Sequence, residues 1–158
     1  MKKKSILIIL MLIISFSSNV FADSEPINIY LDGELLEVSQ EPIIINGTTL
    51  VPMRDIFEAL DMEVYWNGET KTATGVKDGL TIDITIGNNK AYVNKTEKSL
   101  LEPARIVNGR TMVPLRFISE SAGCEVSWDG TKREIVISTY EGDIFMESLS
   151  KMADSSKL

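Results

Sequence analysis

Short runs of alternating apolar and polar residues fill most of the chain between residues 27 and 138. The clearest run is Leu80 to Ile86, in which every even-numbered residue is apolar and every odd-numbered one is Thr or Asp. Because successive strand side chains point to opposite faces, this spacing predicts a half-buried β-strand. Several runs are separated by Asx-Gly pairs, which tolerate the positive φ angles of tight hairpin turns. These pairs are Asp32-Gly33, Asn46-Gly47, Asn67-Gly68, Asp78-Gly79, Asn108-Gly109 and Asp129-Gly130.

Two short stretches follow the helical period instead. Directly after Pro52, apolar residues occur at i, i+3, i+4 and i+7, which predicts one apolar stripe on a helix of two to three turns. Proline suits the first helical turn because its missing N–H is not needed there. The stripe consists of Met53, Ile56, Phe57 and Leu60. We expect this helix to stop at Asp61.

A second helix is predicted after Pro114. Its inner stripe consists of Leu115, Ile118 and Ala122. Gly123 then takes the place of Asp61, and glycine is the usual residue in the left-handed position that ends a helix.

The two helices belong to a motif that occurs twice, 62 positions apart. Its residues are Asn46, Gly47, Val51, Pro52, Arg54, Glu58 and Trp66 in the first copy and Asn108, Gly109, Val113, Pro114, Arg116, Glu120 and Trp128 in the second. The sequence therefore predicts an α+β fold of two repeated β-hairpin/short helix/β-hairpin units, made mainly of antiparallel sheet. The units cover about residues 27–88 and 89–138.

The second copy loses the pattern after its last predicted strand, Arg133 to Ser138. By position, the strand Leu80 to Ile86 should return near residues 142–148, but that segment does not alternate. Apolar residues from Ile144 to Met152 fit a short amphipathic helix instead. We therefore assign residues 139–158 to a C-terminal tail that contains this short helix.

Residues 1–22 have the features of a secretory signal peptide. Lys2 to Lys4 form a positive start, Ser5 to Phe16 is mostly apolar, and a short polar stretch leads to Ala22. We predict cleavage between Ala22 and Asp23, which leaves no stable membrane span. An uncleaved N-terminal anchor is the competing interpretation. The expected location is outside the cytoplasm, in association with the cell envelope.

Composition narrows the chemistry. The formal net charge of −7 argues against nucleic acid as a partner, because phosphate binding needs clustered Lys and Arg. The chain has no histidine, which removes Ser-His-Asp and Cys-His catalysis and the commonest zinc and copper ligand. The single cysteine, Cys124, is interpreted as a small buried hydrophobe.

The arginines of the motif are its most prominent candidates for a function. Arg54 precedes Glu58 by four positions, and Arg116 precedes Glu120 by the same spacing, so each pair shares a helix face. We favour a structural interpretation, in which each pair locks its helix against the sheet and the guanidinium satisfies strand-end carbonyls. A clear loss of thermal stability is then expected for Arg54→Ala.

Trp66 and Trp128 allow two interpretations. They could stack on sugar rings, or they could pack on a neighbouring helix, which a strand tryptophan does more often. We favour packing because the position is duplicated. A glycosidase based on two carboxylates and a calcium site are disfavoured, since no acidic pair has an apolar setting and no calcium-loop motif is present.

The duplicated motif, with Glu-Val-x-Trp-Asn/Asp-Gly after each helix, resembles the copper amine oxidase N-terminal-like domain, also called the stalk domain. The resemblance covers about residues 27–138. It implies an α+β module of exported bacterial proteins that stands apart from the catalytic domain in the oxidases. No copper function follows, because the oxidase site needs three histidines. No catalytic, cofactor or metal residue is assigned.

The expected function is a non-enzymatic interaction module that binds a cell-wall polymer or an exported protein. The alternative is a regulator or inhibitor-like partner of a secreted enzyme. A carboxylate-based hydrolase comes third.

Overall fold

The computed structural model of the chain describes residues 25–139. The predicted signal peptide with its cleavage site at Ala22 and Asp23, the segment 142–148 and the helix predicted in the tail lie outside the described residues. The described strands are β1 (Asn28–Leu31), β2 (Glu34–Leu35), β3 (Ile43–Ile45), β4 (Thr48–Pro52), β5 (Glu63–Asn67), β6 (Thr72–Lys77), β7 (Leu80–Thr85), β8 (Lys90–Val93), β9 (Thr96–Ser99), β10 (Arg105–Val107), β11 (Arg110–Pro114), β12 (Glu125–Asp129) and β13 (Glu134–Ser138). The described helices are α1 (Met53–Ala59) and α2 (Leu115–Ser121).

The described strands form three sheets. Their orders are β12-β13-β1-β2, β10-β11-β4-β3 and β5-β6-β7-β8-β9. Within residues 25–139 every pairing is antiparallel except that of β1 with β13, where Ile29 lies opposite Ile135. The prediction of an α+β fold made mainly of antiparallel sheet is thus confirmed. The parallel pair was not predicted, because it joins the first and last strands of residues 25–139 and no local pattern encodes it.

The two copies of the motif meet in the sheet β10-β11-β4-β3. Strand β4 pairs with β11, and Val51 lies opposite Val113. Both valines are buried in the core. The shared valine of the motif therefore joins the two halves of the molecule.

Both prolines end a strand and cap the helix that follows. Pro52 and Pro114 are the last residues of β4 and β11, and they occupy the N-cap positions of α1 and α2 with extended backbones. The prediction placed each proline inside the first helical turn, and the structure places it one position earlier. The apolar stripe of α1 is buried as predicted, and so are Leu115 and Ile118 of α2.

The helices end in the same way. Asp61 and Gly123 have φ angles of 57° and 85°, and their amides donate to the carbonyl oxygens of Glu58 and Glu120 at 2.9 and 3.0 Å. The left-handed end predicted at Gly123 is confirmed, and α1 ends before Asp61 as expected. In the first copy an aspartate holds this conformation, which normally favours glycine.

The hairpin turns follow two patterns. Asn46-Gly47 and Asn108-Gly109 have positive φ at both residues, as a type I′ turn requires. The tight turns predicted at Asn67-Gly68 and Asp129-Gly130 are wrong. There the loops span residues 68–71 and 130–133, and the side chain of Asn67 or Asp129 accepts two backbone N–H bonds within its loop.

The strand β7 makes the surroundings of the two halves unequal. It lies between β6 and β8, whereas β13 pairs directly with β1. None of the helices described in residues 25–139 is long and apolar enough to cross a membrane.

Candidate binding surface

The predicted arginine pairs form on the surface. Arg54 Nε lies 3.8 Å from Glu58 Oε1, and Arg116 Nη1 lies 3.2 Å from Glu120 Oε1. Arg116 Nη1 also donates to the Val126 carbonyl oxygen of β12 at 2.7 Å. Because the Arg54 side chain is 73% exposed, its pair with Glu58 is expected to add little stability, and the clamp of the first copy stays a prediction. Of the two motif arginines, Arg116 alone donates to a strand carbonyl among the hydrogen bonds within residues 25–139.

The two tryptophans are exposed. Trp66 and Trp128 have 46% and 41% of their surfaces accessible, so the expectation that they are packed into a helix interface is wrong. The physical reason is that β5 and β12 are edge strands. The Trp128 indole lies over the turn that follows, where an added Cβ on Gly130 would meet Nε1 at 3.2 Å.

The remaining motif residues fall into a buried group and a turn group. The buried group is Val51, Pro52, Val113 and Pro114. The turn group is Asn46, Gly47, Asn108 and Gly109.

An apolar groove lies beside α2. We define the α2 groove by Ile44, Leu101, Phe117 and Trp128, which are among its lining residues; it has a volume of about 460 Å³. Arg116 and Glu120 also line it. The groove therefore joins the tip of the β3–β4 hairpin to the edge strand β12.

Leu101 is the most exposed large hydrophobic residue among residues 25–139, at 93%. Its neighbours Leu100 and Glu102 are buried, at 7% and 5%. Glu102 forms a salt bridge with Arg105 and accepts a hydrogen bond from Asn46 Nδ2 at 2.9 Å. A leucine is thus held on the surface between two anchored residues.

Sequence reasoning missed this feature. Leu100, Leu101 and Glu102 do not alternate with the strand period, and Pro103 ends the run. The one available signal was two adjacent leucines outside a strand, where both cannot point inward.

The first copy carries different residues at the same places. Ser39 and Asp55 stand 62 positions before Leu101 and Phe117, and the Ser39 amide donates to Asp55 Oδ2 at 2.5 Å. We call Leu101 and Phe117 of the second copy the apolar ridge. At the matching positions the first copy has a polar contact instead.

The titratable groups are mostly exposed. A hydrogen bond to Glu63 raises the pKa of Tyr65, and the Lys90–Glu97 pair raises the pKa of Lys90 and lowers that of Glu97. Burial raises the pKa of the Cys124 thiol, and the nearby Asp32 carboxylate adds to the rise. No group of three His, Cys, Asp or Glu side chains in residues 25–139 could hold a metal ion.

The sheet orders, the two short helices and the exposed apolar ridge describe a small α+β module dominated by antiparallel sheet. The family model of the copper amine oxidase N-terminal domain matches residues 30–137. The chain belongs to this family, which confirms the resemblance inferred from the duplicated motif.

A protein named for its function also matches the chain. Over 113 residues, the sequence is 35% identical to a protein named "Protease inhibitor" from Brevibacillus choshinensis. The match covers 68% of this chain and 34% of the relative. The chain therefore spans about a third of the length of this relative.

Proposed function

We propose that the chain is a non-enzymatic interaction module that acts outside the cytoplasm, at the cell envelope, and binds an exported protein. The observation that carries the proposal is the apolar ridge of Leu101 beside the α2 groove. A leucine that is 93% exposed and held by buried neighbours has no role in the core. Leu101 shares the α2 groove with Ile44, Phe117 and Trp128, and contiguous exposed apolar surface is typical of interaction sites.

The organisation of the module is part of this proposal. The two halves are copies of one unit, and residues 1–22 are removed as a signal peptide. The 62-position spacing of the strands and helices and the positive start of the chain support these two statements.

A second, more specific candidate is inhibition of a secreted protease. It is supported by the relative named as a protease inhibitor, which aligns with about two thirds of this chain. The alignment covers a third of that relative, so this candidate requires that the inhibitory part of the relative lies within the shared region.

Two assays on purified chain 23–158 test these proposals. In the first, the chain is titrated against subtilisin, chymotrypsin and trypsin with small chromogenic peptide substrates. In the second, it is sedimented with insoluble peptidoglycan. Dose-dependent inhibition supports the inhibitor-like role. Absence of inhibition with all three enzymes argues against that role. Sedimentation with peptidoglycan favours the wall polymer over a protein partner.

A further inference from the structure

Leu101 differs in kind from the other exposed apolar residues. The remaining large hydrophobic residues on the described surface are at most 57% exposed, so each keeps a substantial contact with its own fold. Leu101 keeps almost none. Its side chain can therefore be buried by a partner without first leaving any contact in the free protein.

The backbone around Leu101 is fixed from both sides. The Leu100 amide donates to the Asn89 carbonyl oxygen at 2.7 Å, and the Ala104 carbonyl oxygen accepts from the Gly87 amide at 2.8 Å. Glu102, between them, is bound by Arg105 and Asn46. A loop held in this way loses little conformational freedom on binding, which favours affinity.

Leu101 also stands between two hollows. It lines the α2 groove on one side and a second hollow with Gly87, Asn88 and Pro103 on the other. It is therefore the crest of a convex ridge. A projecting apolar side chain fits a concave pocket lined mainly by apolar groups. The specificity pocket of a chymotrypsin-like protease is a pocket of this kind.

The chemistry of the Leu101 side chain determines which kind of pocket on a partner it can fill. A leucine side chain carries no charge and no polar atom, so it fits a pocket lined by apolar groups. A pocket with a carboxylate at its base prefers Lys or Arg.

We infer that Leu101 is the anchor residue that enters the apolar primary specificity pocket of a secreted protease. The inference rests on the proposed inhibitor-like role and names the contact through which it acts. Leu100, Glu102 and Asn46 act as positioning residues that hold the anchor.

The test compares variants of chain 23–158 with subtilisin, chymotrypsin and trypsin. Leu101→Ala should weaken inhibition of the enzymes with apolar pockets by about 10–200-fold, the range for removing small apolar groups from such a pocket. Leu101→Lys should no longer inhibit the enzymes with apolar pockets and should inhibit trypsin more strongly than the unmodified chain does. Ile106→Ala, at the next most exposed large hydrophobic residue of the described surface, and Ser39→Ala, at the counterpart of Leu101, should inhibit as the unmodified chain does. Melting curves check that each variant is folded.

Three results would overturn parts of this scheme, and they are distinguishable. If the unmodified chain inhibits and Leu101→Ala inhibits equally well, the anchor is wrong and the inhibitor-like role stands. If Leu101→Ala loses inhibition but Leu101→Lys gains nothing against trypsin, insertion into the primary pocket is wrong. If the unmodified chain inhibits none of the enzymes, the inhibitor-like role is wrong, and the anchor proposal that depends on it is wrong as well.

Discussion

The two helices contact their sheets through opposite combinations of large and small residues. On α1, the fully buried Phe57 lies against Gly75 of β6, where an added Cβ would come within 2.5 Å of the ring. At the same positions in the second half, 62 residues later, α2 carries Ser119 and β13 carries Ile137, and both are also fully buried. The large residue is on the helix in one half and on the strand in the other. The exchange keeps the combined volume at the two buried positions similar, as close packing requires.

The surfaces beside the helices differ even more. In the first half, Ser39 bonds to Asp55, and the surface is polar. In the second half, Leu101 and Phe117 stand at these positions and form part of the apolar groove. Matching positions of the two motif copies thus form a polar contact beside α1 and an apolar groove beside α2. Four sets of variants compare the two regions further.

The largest effect is expected for Phe57→Ala. Removing a fully buried ring should lower the free energy of unfolding by about 3–5 kcal/mol in urea denaturation. The matched control is Ser119→Ala. Because the Ser119 hydroxyl has no hydrogen-bond partner within residues 25–139, its removal should be neutral or stabilising by about 1 kcal/mol. Equal losses in both variants would contradict the volume exchange.

Gly75→Ala should lower the free energy of unfolding by about 1–3 kcal/mol, because the new methyl group meets the Phe57 ring. In a Phe57→Leu background the same change should cost less, since the ring is gone. A double-mutant cycle by thermal or urea unfolding measures this coupling. Additive losses would show that Gly75 is needed for another reason.

Asn46→Gly should reduce stability by about 1–2 kcal/mol. Glycine keeps the positive φ of the turn but removes the donor to the buried Glu102 carboxylate. Asn108→Gly makes the same backbone change in the other half and should shift stability by less than about 0.5 kcal/mol. Urea denaturation of both variants measures the difference. Similar changes in the free energy of unfolding would show that Asn46 does not help to anchor the loop that carries Leu101.

The smallest effects are expected at the arginines. Arg54→Ala should change stability by less than about 0.5 kcal/mol, because the pair with Glu58 is exposed. Arg116→Ala should cost about 0.5–1 kcal/mol, since it also loses the bond to the Val126 carbonyl. Melting curves of the two variants test the order. A larger loss of thermal stability in Arg54→Ala than in Arg116→Ala would support the interpretation that Arg54 and Glu58 lock α1 against the sheet.

Local periodicity was sufficient for the elements that depend on it. The stripe from Met53 to Leu60, the turns at Asn46-Gly47 and Asn108-Gly109, and the left-handed Gly123 follow from the spacing of side chains and from backbone sterics. The exposure of Trp66 did not follow, because it depends on β5 being at the edge of a sheet. Sheet order is decided by strands distant in sequence.

The candidate site was missed for a similar reason. The position of Leu101 depends on the burial of Glu102, and that burial depends on Arg105 and on Asn46, which is 56 positions away in sequence. No pattern within a single loop reports such a contact. The family could be recognised from the duplicated motif, but the ridge lies outside it.

The parallel pairing of β1 with β13 has a consequence for the order of folding. Asp32, just after β1, accepts two hydrogen bonds from Thr139, just after β13, across 107 positions of sequence. A chain made from its N-terminus therefore completes β2 long before β1 can find its parallel neighbour. Contacts so distant in sequence slow folding, because the intervening loop must close first. Closure of the sheet β12-β13-β1-β2 should therefore be a late event, because β1 cannot pair with β13 before residues 134–138 are available.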